Sequence, residues 1–196
     1  TSPMDGGNLN RSFPGDPDGP VTEKIADYFP RGMTPLADVV LDLHSGGRTL
    51  DIIPFGASHV LDDPEQQRQA LEGAKAFGAP YAMMMFELDA AALFDTAVES
   101  QGKVFVATEL GGGGTSTPES LAITERGVRN FLIHFGLIEG EVAMPAEPQI
   151  YLDMPDASCY VQSEHSGLLE LTLALGDRVE KGQVIARIYD MTRSGS

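Results

Sequence analysis

The run Asp38-Val39-Val40-Leu41-Asp42-Leu43, followed by His44-Ser45-Gly46-Gly47, constrains the fold more than any other stretch. Its apolar, β-branched residues predict a central strand buried on both faces. That strand would deliver an imidazole, a hydroxyl and two glycines to its C-terminal end, the edge at which open α/β sheets bind ligands. His44 there reads either as a metal ligand, with Asp42 or a backbone carbonyl orienting its second nitrogen, or as a satisfied histidine at a strand end. The paired glycines let the backbone come close to whatever sits beside the ring.

At 196 residues the chain is long enough for one large domain, or for one domain plus a small module. A formal net charge of −16 argues against nucleic acid, which needs clustered Lys and Arg to neutralise phosphates. It also argues against an anionic membrane surface, and no apolar run approaches the length of a membrane span. A small anionic substrate is compatible with this charge, because one arginine dominates its own pocket. The single cysteine, Cys159, excludes an internal disulfide; a cytoplasmic setting is expected, with Cys159 a small buried hydrophobe. Thr1-Ser2-Pro3-Met4 does not read as a natural start, and Thr192 to Ser196 closes the chain just after an expected strand. The expectation is a fragment at both ends.

Helical spacing of Val21, Ile25 and Phe29 predicts a short helix over Thr22 to Phe29. A second strand is expected over Thr49 to Phe55, where Pro54 suggests an edge or strand end. Asp63-Pro64-Glu65-Gln66 has the form of a helix start, with an Asp cap, Pro at the first position and Gln able to close a capping box. That helix should reach Phe77 and stop at Gly78. Tyr81 to Phe86 reads as a strand whose Met83-Met84-Met85 fills core gaps. A helix over Ala90 to Gln101 and a buried strand over Lys103 to Thr108 follow. Thr117-Pro118 opens the longest helix, with a stripe of Leu121, Val128, Leu132 and Phe135 ending at Gly136. His134 is expected on that helix's surface. The alternation predicts an α/β layer architecture with a partly parallel sheet. After Gly140 prolines interrupt the chain and helical periodicity disappears, so a boundary near Gly140 separates residues 1–140 from a small all-β module over 141–196. Its strands are expected at Ser158 to Gln162, Gly167 to Leu173 and Gln183 to Tyr189, with His165 in a solvated connection.

Two further places carry chemistry. In the Gly-, Pro- and Asn-rich loop before the first helix, Asn10 and Arg11 stand side by side. A guanidinium grips a carboxylate with two parallel hydrogen bonds and an amide adds a donor, while a plain turn with a solvated Arg is the alternative. Glu109, at the end of the strand over Lys103 to Thr108, precedes four consecutive glycines. It would serve as a general base beside His44 if the two strands are neighbours, and otherwise as an exposed Glu before a flexible loop. Ordering four glycines costs much entropy, which points to close backbone approach or mobility.

Asn8-Leu9-Asn10-Arg11-x-Phe13-Pro14-Gly15, Asp42-Leu43-His44-Ser45-Gly46-Gly47 and Thr108-Glu109-Leu110-Gly111 together resemble the succinylglutamate desuccinylase/aspartoacylase family, relatives of the zinc carboxypeptidases. Ser-Gly-Gly and Phe-Pro-Gly are most similar to its bacterial, N-acetyl-diaminobutyrate deacetylase-like branch. The resemblance implies a zinc-carboxypeptidase-like mixed sheet flanked by helices, followed by a small all-β domain. It implies a zinc-dependent amidohydrolase (Zn2+ cofactor) acting on a small N-acylated amino acid. His44 would be a zinc ligand, Glu109 the general base, and Asn10 and Arg11 the pair holding the substrate carboxylate. The family's other two ligands lie on a His-x-x-Glu motif upstream of the Asn-Arg loop, and no such motif occurs here. Gly167 to Gln183 is similar to half of a biotinyl/lipoyl-type barrel, but Tyr189-Asp190-Met191-Thr192-Arg193 offers no lysine for a carrier. A non-catalytic binding or carrier-type module, or a degenerate homologue without metal, stands as the competing class, and a homo-oligomer is left open.

Overall fold

The protein is described by a computed structural model covering residues 1–86 and 91–192. Five strands, β1 (Val39–His44), β2 (Phe55–His59), β3 (Tyr81–Met85), β4 (Val104–Glu109) and β5 (Ile150–Met154), form one mixed sheet in the order β1-β4-β2-β3-β5. β1 and β4 run parallel, β2 opposes β4, and β3 and β5 run parallel to β2. The helices are α1 (Val21–Tyr28), α2 (Pro64–Phe77), α3 (Phe94–Glu99) and α4 (Pro118–His134).

The sheet's two faces have different contents. Register partners project to the same side, so Val40, Asp42 and His44 share a face with Phe105, Ala107 and Glu109. The opposite face is apolar. Val106 lies in a buried cluster with Ala74 and Phe77 of α2 and Ile123 and Phe131 of α4, and Val39 and Leu41 pack against it. Gly127 makes the α2–α4 approach possible, since a Cβ there would strike the Phe77 ring.

α2 has the expected bounds because its signals are local. The Asp63 side chain accepts from the Glu65 and Gln66 N–H groups, and Gly78 adopts a left-handed conformation with φ 75°. Gln66 closes no capping box; its Nε2 donates to the Glu99 and Lys103 carbonyls at 2.9 and 2.8 Å, tying α2 to α3 and β4. α4 starts at the expected place, where Thr117 and Ser120 form a capping box. Val128 and Phe135 pack against the core cluster as expected, but the buried residues of α4 are Ser120, Ile123, Gly127, Asn130 and Phe131, and Leu121 is exposed.

Several expectations are corrected. β1 is an edge strand among the described residues, with Leu43 47% exposed, because β4 takes the inner seat beside it. The second strand is not Thr49 to Phe55 but Phe55–His59, wholly buried between β4 and β3. Gly56 fits under α2, where a Cβ would lie 2.8 Å from the Ala74 carbonyl oxygen. The helix expected from Ala90 to Gln101 is Phe94–Glu99; Ala90 lies outside the described residues. Ser158 to Gln162 is not a strand, and Cys159 is exposed in a 3-10 turn.

The first compact unit runs past Gly140 to Ala157, because β5 pairs with β3 over Tyr81↔Ile150 to Met85↔Met154. The second unit begins at Ser158. It holds an antiparallel pair, β6 (Leu168–Leu171) and β7 (Ala186–Tyr189), in which the Tyr189 hydroxyl donates to Glu170 at 2.6 Å.

Candidate active site

His44 and Glu109 are register partners at the C-terminal ends of β1 and β4, so strand pairing alone sets them side by side. Asp42, two residues before His44, projects to the same face, and its Oδ2 lies 2.8 Å from His44 Nε2. The ring N–H donates to the carboxylate, which leaves Nδ1 as the nitrogen with a lone pair to offer. Of the two orienting groups expected for His44, the structure uses the Asp42 side chain. That hydrogen bond raises the imidazole pKa above its usual value, against the effect of burial; the charges of Asp42, Glu109 and Asp95 push the same way as the bond.

Glu109 is pushed in the same direction for a different reason. Burial disfavours its charged form and raises its pKa, the positive charge of a protonated His44 opposes this, and Asp42 adds repulsion. Its Oε2 is fully buried and has no hydrogen-bond partner among the described residues. A buried carboxylate oxygen without a partner is rare and marks a place where a water, ion or ligand group belongs.

The Asn10–Arg11 loop faces the same ends of the strands. Residues Leu9–Arg11 form a 3-10 turn, with Arg11 N–H donating to the Asn8 carbonyl at 3.0 Å. The Asn10 side-chain oxygen accepts from Phe94 N–H at 2.8 Å, so its amide NH2 is directed elsewhere and has no protein partner among the described residues. Arg11 is exposed, and one of its terminal nitrogens donates to the Asn10 carbonyl at 2.5 Å. An aromatic cluster anchors the loop: Phe13 packs on Phe94 at 5.0 Å between ring centroids and on Phe29 at 6.4 Å, and Phe94 meets Phe105 of β4 edge-on at 5.7 Å.

The glycine run after Glu109 is bound to the loop after His44. Leu110 N–H donates to the His44 carbonyl at 3.0 Å, Gly46 N–H to Gly111 at 2.8 Å, Gly113 N–H to Leu50 at 2.9 Å and Gly114 N–H to Gly47 at 2.7 Å. A Cβ on Gly112 would run into the Leu50 carbonyl oxygen. Close backbone approach between two loops therefore accounts for the glycines.

Asn10, Arg11, Asp42, His44 and Glu109 all line one cavity of about 170 Å³. Two residues that sequence reasoning passed over join them there. His59, at the end of β2, is buried with its Nδ1 2.9 Å from Glu99 Oε1. Asp95 stands in the first turn of α3. No local motif announces either one, since both reach the cavity only through strand order and the docking of α3. His134 ends α4 with its ring against Phe135, and His165 is exposed in the second unit; neither lines the cavity. Among the described residues no group of three or more His, Cys, Asp or Glu is placed to hold a metal ion. No helix there is long and apolar enough to cross a membrane.

Comparison with known proteins places this arrangement in context. Residues 1–135 match the model of the succinylglutamate desuccinylase/aspartoacylase catalytic domain. N-alpha-acetyl-L-2,4-diaminobutyric acid deacetylase of Halomonas elongata is 85% identical over 195 residues, covering 100% of this chain and 57% of that protein. The crystal structure of a succinylglutamate desuccinylase from Silicibacter sp. TM1040 superposes with a TM-score of 0.92 at 53% identity, over 100% of this chain and 59% of that one. The product-bound ectoine utilization protein EutE (DoeB) from Ruegeria pomeroyi gives 0.93 at 52% identity, with the same coverage of 100% and 59%. The chain thus spans somewhat under three-fifths of the length of these relatives.

Proposed function

Because the chain belongs to the succinylglutamate desuccinylase/aspartoacylase family, we propose that it forms the catalytic part of a cytoplasmic, zinc-dependent amidohydrolase. The substrate would be a small N-acyl amino acid, with N-acetylated diaminobutyrate the first candidate in view of the relative from Halomonas elongata. The observation that carries this reading is the pairing of His44 with Glu109, whose buried Oε2 has no hydrogen-bond partner among the described residues.

The donor chemistry fits zinc in part. His44, with one ring nitrogen held by Asp42 and the other available, has the carboxylate–histidine arrangement of a zinc ligand. It supplies one ligand only, and the described residues hold no group of three. The resemblance implies that the other two would come from a His-x-x-Glu motif upstream of the Asn10–Arg11 loop. When bound, zinc supplies Lewis acidity and lowers the pKa of a water towards about 7.

The remaining roles belong to residues of this chain. Asn10 and Arg11 hold the substrate carboxylate, which fixes the acyl carbonyl over the ends of β1 and β4. Glu109 takes a proton from the attacking water as its oxygen bonds to the acyl carbon. The C–N bond breaks, and Glu109 passes that proton to the leaving nitrogen, giving a free carboxylic acid and an amine. Burial suits Glu109 to this exchange by raising its affinity for the proton it must hold between the two steps.

The test is release of acetate from N-alpha-acetyl-diaminobutyrate by the full-length protein, with and without prior treatment with a chelator. The reading requires turnover that the chelator abolishes and zinc restores. Turnover that survives complete removal of metal would overturn the zinc dependence, and absence of any acetate release would overturn the substrate.

A further inference from the structure

We propose that Asp95 is a specificity-determining residue that receives the free ammonium group of a diamino-acid substrate, and the inference rests on the deacylase reading above. The argument begins with the charges facing the cavity. Among the described residues three carboxylates line it, those of Asp42, Asp95 and Glu109, against one guanidinium, that of Arg11. Asp42 is engaged by His44. Glu109 stands beside His44 at the reacting end, as its register partner. Asp95 is the carboxylate left without a task in the reaction.

Its local geometry leaves one oxygen available. Oδ1 accepts from the Thr96 N–H, and from the Thr96 hydroxyl at 3.2 Å. Oδ2 has no partner among the described residues. The side chain is therefore held through one oxygen and keeps the other for a ligand, which is how an acidic residue fixes a cation without having to reorganise. The backbone beneath it is held as well. Leu93 is buried, and Phe94 belongs to the aromatic cluster.

One bond relates Asp95 to the carboxylate clamp. Phe94 N–H donates to the Asn10 side chain, so the residue next to Asp95 also orients the amide proposed to hold the substrate carboxylate. An N-acyl amino acid has three arms at its α-carbon besides hydrogen: the carboxylate, the acylated nitrogen and the side chain. With the first at Asn10 and Arg11 and the second at His44 and Glu109, Asp95 is, among the described residues, the lining carboxylate left for the third. A carboxylate there attracts a side chain ending in an ammonium and repels one ending in a carboxylate. The site would thus favour N-acyl diamino acids over N-acyl aspartate or N-acyl glutamate.

The experiment compares two substrates with full-length wild-type and Asp95→Asn protein. N-alpha-acetyl-2,4-diaminobutyrate carries the ammonium, and N-alpha-acetyl-norvaline replaces it with a methyl group of nearly the same size. Asn keeps the side-chain oxygen that caps Thr96, so folding is preserved by design, and circular dichroism checks it. The expected result is a fall in kcat/KM of roughly tenfold to a hundredfold on the diaminobutyrate substrate, against a loss of threefold or less on the norvaline substrate. Asp95→Glu should recover part of the preference. Equal losses on both substrates, or an unchanged preference, would overturn the role of Asp95 while leaving the deacylase reading in place. A wild-type protein that cleaves neither substrate would instead overturn the deacylase reading, and this inference with it.

Discussion

His44 and Glu109 face each other across a parallel strand pair, as the last residues of β1 and β4, and the Leu110 N–H that follows Glu109 donates back to the His44 carbonyl at 3.0 Å. The backbones beneath the two side chains are therefore held in register by main-chain bonds. Asp42 completes the set from the same face of β1.

Asp42→Asn tests whether that third residue orients the imidazole for metal. Asn keeps the size of the side chain but replaces the carboxylate with an amide that holds the ring N–H less strongly. Zinc affinity of the full-length protein, measured by competition with a chromogenic chelator, should fall roughly tenfold to a hundredfold. An affinity within twofold of wild type would mean that Asp42 serves the strand rather than the ligand.

Arg11→Lys replaces a planar fork with a point charge. Catalytic efficiency on a substrate with a free carboxylate should drop roughly tenfold to a hundredfold, with zinc content unchanged. The drop should shrink for an analogue whose carboxylate is an amide, since that analogue never used the fork. Equal losses on both would make Arg11 a structural residue of the turn that ends at its own backbone.

Burial raises the pKa of Glu109 in the folded chain, so its charged form is disfavoured there relative to the unfolded chain. The folded state then binds more protons than the unfolded state between the ordinary glutamate pKa and the raised one. Over that window stability decreases as pH rises, and the cost is in place above it. Metal-free Glu109→Gln protein should accordingly melt higher than metal-free wild type at pH 7 to 8. The difference should vanish below about pH 4, where the carboxyl is protonated in both states. Thermal melts at the two pH values check this; a wild type that is the more stable at pH 8 would show that Glu109 is satisfied in solution.

Gly112→Ala inserts a methyl group where the Leu50 carbonyl oxygen already stands. The two loops behind the site must separate, at a cost of about 1–3 kcal/mol in unfolding free energy by urea titration. Activity should fall as well, because the loops that move carry His44 and Glu109 at their bases. A substitution that changes neither would show that the loops part freely.

Elements whose signals are local were legible in the sequence. α2 runs between an Asp-Pro start and a Gly stop because capping and left-handed backbone depend on adjacent residues. The edge position of β1, by contrast, depends on where β4 lands. Phe55–His59 escaped notice because Gly56, Ala57 and Ser58 carry no β-branched signal, and Gly56 has no room for a Cβ because α2 lies on it. The fifth strand followed prolines at 145 and 148 and pairs with a strand some seventy residues earlier, beyond the reach of any window. The site divides in the same way. Asn10, Arg11, His44 and Glu109 stood in recognisable strings and meet in one cavity. His59 and Asp95 did not, since a histidine after small residues and an aspartate in a short helix have no pattern until the fold assembles them.

The central claim is that Glu109 carries the proton between water and the leaving amine. The direct measurement is steady-state turnover of the full-length Glu109→Gln protein on N-alpha-acetyl-diaminobutyrate, together with its affinity for that substrate by calorimetry. Gln keeps the shape and most of the hydrogen bonding and removes the base. The account predicts a fall in kcat of roughly a hundredfold or more with affinity within a fewfold of wild type. Turnover equal to that of wild type would contradict it.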